Sequence, residues 1–266
     1  MTLCSVLGLA LFFSGTVDVS AGLASENHSP RPTAHATPSP RTSIASRATT
    51  NFAATNPSGP LTAQATSSDC VKTNSVAHNP LKVGYPDPKV AMVDRVFTLN
   101  TNCGAITFKA FGKKATATVI AMTFLAKSGY FDHSLCHRLT TASIYVLQCG
   151  DPTASGSGGP PFSYRDENLP ADAPNDYPAG TIAMANSGPN TNGSQFFIVY
   201  KDTYLPPSYT IWGQVTSGLD IVKQVAAAGV VGGGTDGTPK QTIAIESVSV
   251  KSVSYTHLTL PTIYSV

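Results

Sequence analysis

The chain has 266 residues, of which 41% are hydrophobic and 12% charged. Seventeen Lys+Arg against 15 Asp+Glu leave a formal net charge of +2, with no basic block clear of the background, which removes the general electrostatic case for nucleic-acid binding. Its 22 Gly and 20 Pro disfavour a helical bundle, and beyond the very start no apolar run approaches the roughly 18–20 residues that span a bilayer.

Leu3 to Ser14 (LCSVLGLALFFS) is an apolar run of signal-peptide size, followed by small residues around Val19–Ala21 or Gly22–Ala24. Residues 1–24 therefore read as a signal-peptide-like leader or a retained membrane anchor, although no Lys or Arg precedes Arg31. Ser25 to Asp69 is rich in Ser, Thr, Pro and Ala, with too few large apolar residues to offset its ordering entropy, and reads as a disordered linker. This order predicts an exported protein: extracellular, in the cell wall, or tethered outside a membrane through the N-terminal anchor alone.

Residues 70–252 are long enough for one domain with a sizeable core. Arg95 to Asn100 and Gly104 to Phe111 alternate apolar and polar residues, as half-buried strands do, with a turn at Asn102–Gly104. Thr116 to Ser128 (TATVIAMTFLAKS) pairs Ile120 with Phe124 and Ala121 with Leu125 at i,i+4, which predicts a helix capped by Thr116 and ended by Gly129. Leu219 to Ala228 (LDIVKQVAAA) predicts a second helix, closed by Gly229. The rest is short strands between Gly, Pro, Asn and Ser clusters, without internal repeats. Many short strands with two helices favour an all-β barrel or sandwich over an α/β sheet. Val253 onward (VSYTHLTLPT) resembles a translated sequencing adaptor, so residues 253–266 are expected to be an artefact tail, a genuine terminal strand being the alternative.

With Cys4 assigned to the leader, Cys70, Cys103, Cys136 and Cys149 remain. They allow three pairings, or buried free thiols. Cys136 and Cys149 flank an expected hairpin and could face each other, leaving Cys70 with Cys103. No CxxC spacing occurs, and no metal site is expected.

Two segments stand out: Cys136 to Leu139 (CHRL) followed by Ile144 to Asp151 (IYVLQCGD), and Gly180 to Ile198 (GTIAMANSGPNTNGSQFFI). At these residues the chain resembles the cyclophilin family of peptidyl-prolyl isomerases, over about Arg95 to Val250. The resemblance implies a closed eight-stranded antiparallel β-barrel capped by two α-helices, with a substrate groove on the barrel's outer face. It implies a monomer that acts on proline-containing peptides and assists the folding of unfolded or exported proteins, without a cofactor.

Rotation about an Xaa-Pro amide meets a barrier of about 18–20 kcal/mol but breaks no bond. It needs an apolar pocket for the ring and donors for the amide as its resonance is lost. By resemblance Arg138 is the catalytic arginine, and Gln148 the glutamine that orients it and bonds the substrate backbone. Tyr145, Val146, Phe197 and Leu205 align with the apolar pocket walls. Ala185 and Asn186 align with residues whose backbone bonds the peptide, and Gln195 lies beside the pocket. His137 is expected to be structural. Asn192-Gly193-Ser194 fits a glycosylation sequon, but a tight loop explains it better. Tyr204 stands where many members have tryptophan, losing the indole donor that favours cyclosporin binding. Tyr209 replaces a common histidine, while Tyr145 and Val146 replace Phe and Met. This pattern resembles the actinobacterial branch. Two other readings remain: a non-catalytic module that holds proline-containing loops, and a structural or adhesion β-domain on a stalk.

Overall fold

The computed structural model describes residues 70–253. The leader, the linker and all of the expected artefact tail except Val253 lie outside the described residues.

The alternating segments form a hairpin of β1 (Arg95–Thr101) and β2 (Gly104–Ala110). Their buried residues face each other in register: Phe97 opposite Phe108, and Leu99 opposite Ile106. Further along the chain come β3 (Ser134–Leu135), β4 (Arg138–Thr140), β5 (Val146–Cys149), β6 (Thr181–Met184), β7 (Phe196–Val199), β8 (Ile211–Ser217), β9 (Asp236–Gly237) and β10 (Ala244–Ser252). One antiparallel sheet takes them in the order β3-β10-β1-β2-β8-β6-β7-β5-β4-β9. Eight strands were expected and ten are present among the described residues; β3 and β9 are of two residues each. The chain runs directly from one end of the sheet to near the other: β3, the end strand paired with β10, continues through Cys136 and His137 into β4, which lies between β5 and the opposite end strand β9.

The concave face holds the main core. Trp212 packs edge-on against Phe97, Phe108 and Phe196, with centroids 5.4, 5.1 and 6.1 Å away. Around it lie Ile106, Leu139, Leu147, Ile182, Met184 and Ile198, all buried.

Helix α1 (Thr116–Lys127) buries Val119, Met122, Leu125 and Ala126, spaced three or four apart along one face. Thr116 is not its cap: the hydroxyl donates backward to the Gly112 carbonyl at 2.9 Å. The free N–H groups of Ala117 and Thr118 instead donate to the Glu167 carboxylate at 3.1 and 3.0 Å. A carboxylate from a distant loop thus supplies the anion that a helix start favours. Gly129 ends the helix in the left-handed region at φ 71°. Helix α2 (Leu219–Ala228) ends at Gly229 as expected and buries Val222 and Val225.

Both disulfides are formed, Cys70–Cys103 and Cys136–Cys149. The first ties an extended strap, residues 70–94, to the β1–β2 turn. Asn102 reinforces it, donating to the Val71 and Thr242 carbonyls at 2.9 and 3.1 Å and accepting from the Ala244 N–H at 2.8 Å. The second clamps the entry to β4 onto the exit of β5, with a sequence separation of 13. Replacing Cys136 and Cys149 together by serine is expected to lower the unfolding free energy by about 2–4 kcal/mol, measured by urea titration without reductant. A loss below about 1 kcal/mol would mean that the bridge contributes far less than its loop-closure effect.

Candidate active site

Strands β4, β5, β7, β6 and β8 lie side by side, and their register sets one row of side chains on the convex face. Arg138 is paired with Gln148, Gln148 with Phe197, Phe197 with Ala183, and Ala183 with Ile211. Because side chains alternate faces along a strand, these residues look outward while Leu139, Leu147, Ile198 and Trp212 look into the core. The adjacent outward positions, Val146 and Val199, are also paired. A second apolar cluster results, outside the barrel, of Val146, Tyr177, Ala183, Phe197, Val199 and Leu205, with Ile144, Tyr209 and Ile211 at its margin. The Tyr209 ring stands edge-on to Phe197, with centroids 5.6 Å apart. Its N–H donates to the Tyr177 hydroxyl at 3.1 Å, and that hydroxyl donates to the Tyr209 carbonyl at the same distance.

The polar end of the row is a connected network. Arg138 Nη1 donates to Gln148 Oε1 at 3.2 Å, Gln148 Nε2 to Gln195 Oε1 at 2.8 Å, and Gln195 Nε2 to the Gly158 carbonyl at 2.9 Å. On its other side the guanidinium grips Asp236 in a two-pronged pair, Nε to Oδ1 at 2.8 Å and Nη2 to Oδ2 at 2.7 Å. The bonds to Asp236 push the arginine's pKa up and the aspartate's down. One N–H on each Nη stays free of these bonds.

Gly158 is held by Asp151, whose carboxylate is buried in the loop that follows β5. It accepts from the N–H groups of Thr153, Ser155, Gly156 and Gly158 and from the Thr153 hydroxyl. A Cβ at Gly158 would overlap that carboxylate, so only glycine lets the loop close. Burial pushes the Asp151 carboxyl up, but the bonds from Thr153, Gly158 and Gly156 outweigh it and hold it below the ordinary carboxylate range. With the folded pKa depressed, these bonds stabilise the fold at neutral pH, and that part is lost as pH falls through the folded value. Asp151→Asn is therefore expected to be less stable than the parent chain near pH 7, with a gap that narrows below about pH 4. Urea midpoints across that range check it; a gap that does not change with pH would contradict it.

The structure brings Arg138, Gln148, Gln195, Val146, Phe197, Leu205 and Tyr209 into one region. Ala185 and Asn186 border it: the Ala185 N–H donates to the Gln195 carbonyl at 3.0 Å, and Asn186 Nδ2 to the Ser208 carbonyl at 2.9 Å. Two aligned residues sit elsewhere. Tyr145 lies outside the second cluster; it faces Tyr200, centroids 6.0 Å apart, under the Lys201 ammonium 4.2 Å from its ring. The strand pleat explains this, since Tyr145 shares a side with Leu147 whereas Ile144 shares one with Val146. Tyr204 is 53% exposed, its hydroxyl donating to Asp172 at 2.9 Å, away from the cluster. The His137 ring nitrogens are buried without a hydrogen-bond partner, and burial pushes the imidazole's pKa down. Asn192 of the sequon is buried, and its Nδ2 donates to Tyr164, Arg165 and Asp166.

Sequence reasoning missed Asp236, Tyr177, Ile144 and the Asp151 loop. Asp236 lies 98 positions from Arg138 in a glycine-rich stretch, and its only local signal is a turn-like Asp-Gly pair.

The family model for "Cyclophilin type peptidyl-prolyl cis-trans isomerase/CLD" matches residues 96–250. A Mycobacterium tuberculosis protein named "Probable peptidyl-prolyl cis-trans isomerase B" is 44% identical over 174 residues, covering 61% of this chain and 55% of that protein. Its namesake in Mycobacterium leprae is 44% identical over 163 residues, covering 57% and 55%. The chain thus spans about half the length of the curated relatives it matches. Among solved structures, a cyclophilin type peptidyl-prolyl cis-trans isomerase of Cryptosporidium parvum superposes with a TM-score of 0.52 at 26% identity, covering 60% of this chain and 99% of that one. The same protein, solved in the presence of the dipeptide Ala-Pro, gives 0.51 at 26% identity, covering 59% and 99%. With the family model spanning more than half of it, this chain belongs to the cyclophilin-type peptidyl-prolyl cis-trans isomerase family.

Proposed function

We propose that the chain catalyses cis-trans isomerisation of Xaa-Pro peptide bonds on the convex face, over the apolar cluster beside Arg138. The observation that carries this reading is the register that sets Arg138, Gln148 and Phe197 side by side on three neighbouring strands. The apolar cluster around Phe197, Val146, Leu205 and Tyr209 receives the pyrrolidine ring. The free N–H groups of Arg138 face the amide. As the amide twists, its resonance is lost and electron density gathers on the prolyl nitrogen. A donor fixed there binds the twisted form better than either planar one, which is the condition for catalysis. Gln148 holds the guanidinium on one side and passes that constraint to Gln195 and the Asp151 loop.

We also propose that the chain works outside the cytoplasm on exported, incompletely folded proteins. Two formed disulfides among the described residues fit an oxidising compartment, and the apolar run at residues 3–14 is of leader size.

Exchange spectroscopy by NMR on an Ala-Pro-containing tetrapeptide, with the full chain added in catalytic amount, tests the activity. Uncatalysed interconversion takes tens to hundreds of seconds; the chain is expected to shorten it to below about a second, on the scale of ordinary turnover. An exchange rate unchanged from peptide alone, with binding shifts present, would make the groove a holding module instead.

A further inference from the structure

Strand β4 carries Arg138 between two neighbours, β5 on one side and β9 on the other. Gln148 reaches the guanidinium from β5. Asp236 reaches it from β9, where its registered partner is Thr140, two residues along β4 from Arg138. Residues in that diagonal relation share a face and lie within reach of long side chains. The carboxylate engages the guanidinium edge through both oxygens, at 2.8 and 2.7 Å. Such a fork-to-fork pair fixes the plane of the guanidinium, which a single hydrogen bond does not.

The carrier segment is built to hold that carboxylate. Leu139 pairs with Gly237, the Thr141 N–H donates to the Thr235 carbonyl at 2.8 Å, and the Val231 N–H donates to the Thr238 carbonyl at 2.9 Å. The side chains of Arg138 and Asp236 remain 40% and 52% exposed. Ion pairs so open to water contribute little to stability, so the pair's geometry is its main consequence.

Resting on the reading of Arg138 above, we propose that Asp236 is a positioning residue: it locks the Arg138 guanidinium in the plane that aims its remaining N–H groups over the apolar floor. A competing effect has the opposite sign, since an anion beside the guanidinium also weakens its pull on the prolyl nitrogen. The locked geometry is taken to outweigh that loss, because small misplacements of a catalytic group are costly.

The test compares the full-length parent chain with Asp236→Asn, Asp236→Glu and Arg138→Ala. It measures kcat and KM for an Xaa-Pro tetrapeptide, the urea midpoint, and solvent exchange of the Arg138 Nε–H by proton–nitrogen NMR. Asp236→Asn is expected to lower kcat about tenfold with KM and urea midpoint unchanged, and to speed Nε–H exchange. Asp236→Glu keeps the carboxylate and is expected to recover a third or more of the parent kcat, a rescue that a merely structural role would not give. A kcat for Asp236→Asn within twofold of the parent, or above it, while Arg138→Ala is impaired, overturns this inference alone. Parent-like rates in both variants overturn the reading of Arg138 and this inference together.

Discussion

Replacing Arg138 by alanine is expected to lower kcat/KM for an Xaa-Pro tetrapeptide by about 100-fold, the size of effect seen when one preorganised transition-state donor is removed. That corresponds to about 2.7 kcal/mol of transition-state stabilisation. Stability should barely respond. The Arg138–Asp236 pair is open to solvent on both sides, where ion pairs contribute about 0–1 kcal/mol. The apolar floor stays in place because Phe197, Val146 and Leu205 belong to one buried cluster with Tyr177, Ala183 and Val199. Arg138→Lys should recover little of the rate. A lysine ammonium is a single point charge, whereas the guanidinium holds Asp236 through two bonds and Gln148 through a third. A variant that loses activity and unfolds at the same time would show that the arginine supports the fold, not the reaction.

The second large effect concerns the opposite face of the same sheet. Trp212→Ala is expected to cost about 3–5 kcal/mol of unfolding free energy, as large-to-small changes in a packed core do. Trp212 is fully buried and touches the rings of Phe97, Phe108 and Phe196. Trp212→Phe should cost less than Trp212→Ala, because it keeps a ring in the site and removes an indole N–H that is buried without a partner. Urea titrations followed by circular dichroism compare the three proteins. A Trp212→Ala loss near 1 kcal/mol would contradict the packing described. The same burial predicts that fluorescence from this single tryptophan will report unfolding rather than peptide binding on the convex face.

What the sequence disclosed follows from the range of the interactions. The β1–β2 hairpin was legible because Phe97, Leu99, Ile106 and Phe108 alternate with polar residues and face one core. The first helix was legible from its apolar spacing, the second from its LDIVKQVAAA segment, and their ends from Gly129 and Gly229. The start of α1 was not, since Thr116 has the chemistry of a cap but the helix takes its anion from Glu167. On the convex face, composition could not tell a groove from a core: Phe197 and Val146 look like core residues, and only the surrounding motif marked them. Resemblance then carried Tyr145 over with Val146, but consecutive residues of an extended chain point to opposite sides. Ile144, not Tyr145, joins the apolar cluster. Asp236 escaped for a different reason. Its partner is 98 residues away, and nothing in a glycine-rich loop reveals which strand edge it will reach.

The most direct measurement of the central claim is the crystal structure of the full chain soaked with a short Xaa-Pro peptide. The prolyl ring should lie on Phe197, against Val146 and Leu205, with an Arg138 N–H within about 3.2 Å of the prolyl amide. A peptide bound in good density elsewhere on the barrel, such as the surface beside Tyr145 and Lys201, with the Phe197 cluster unoccupied, would contradict it.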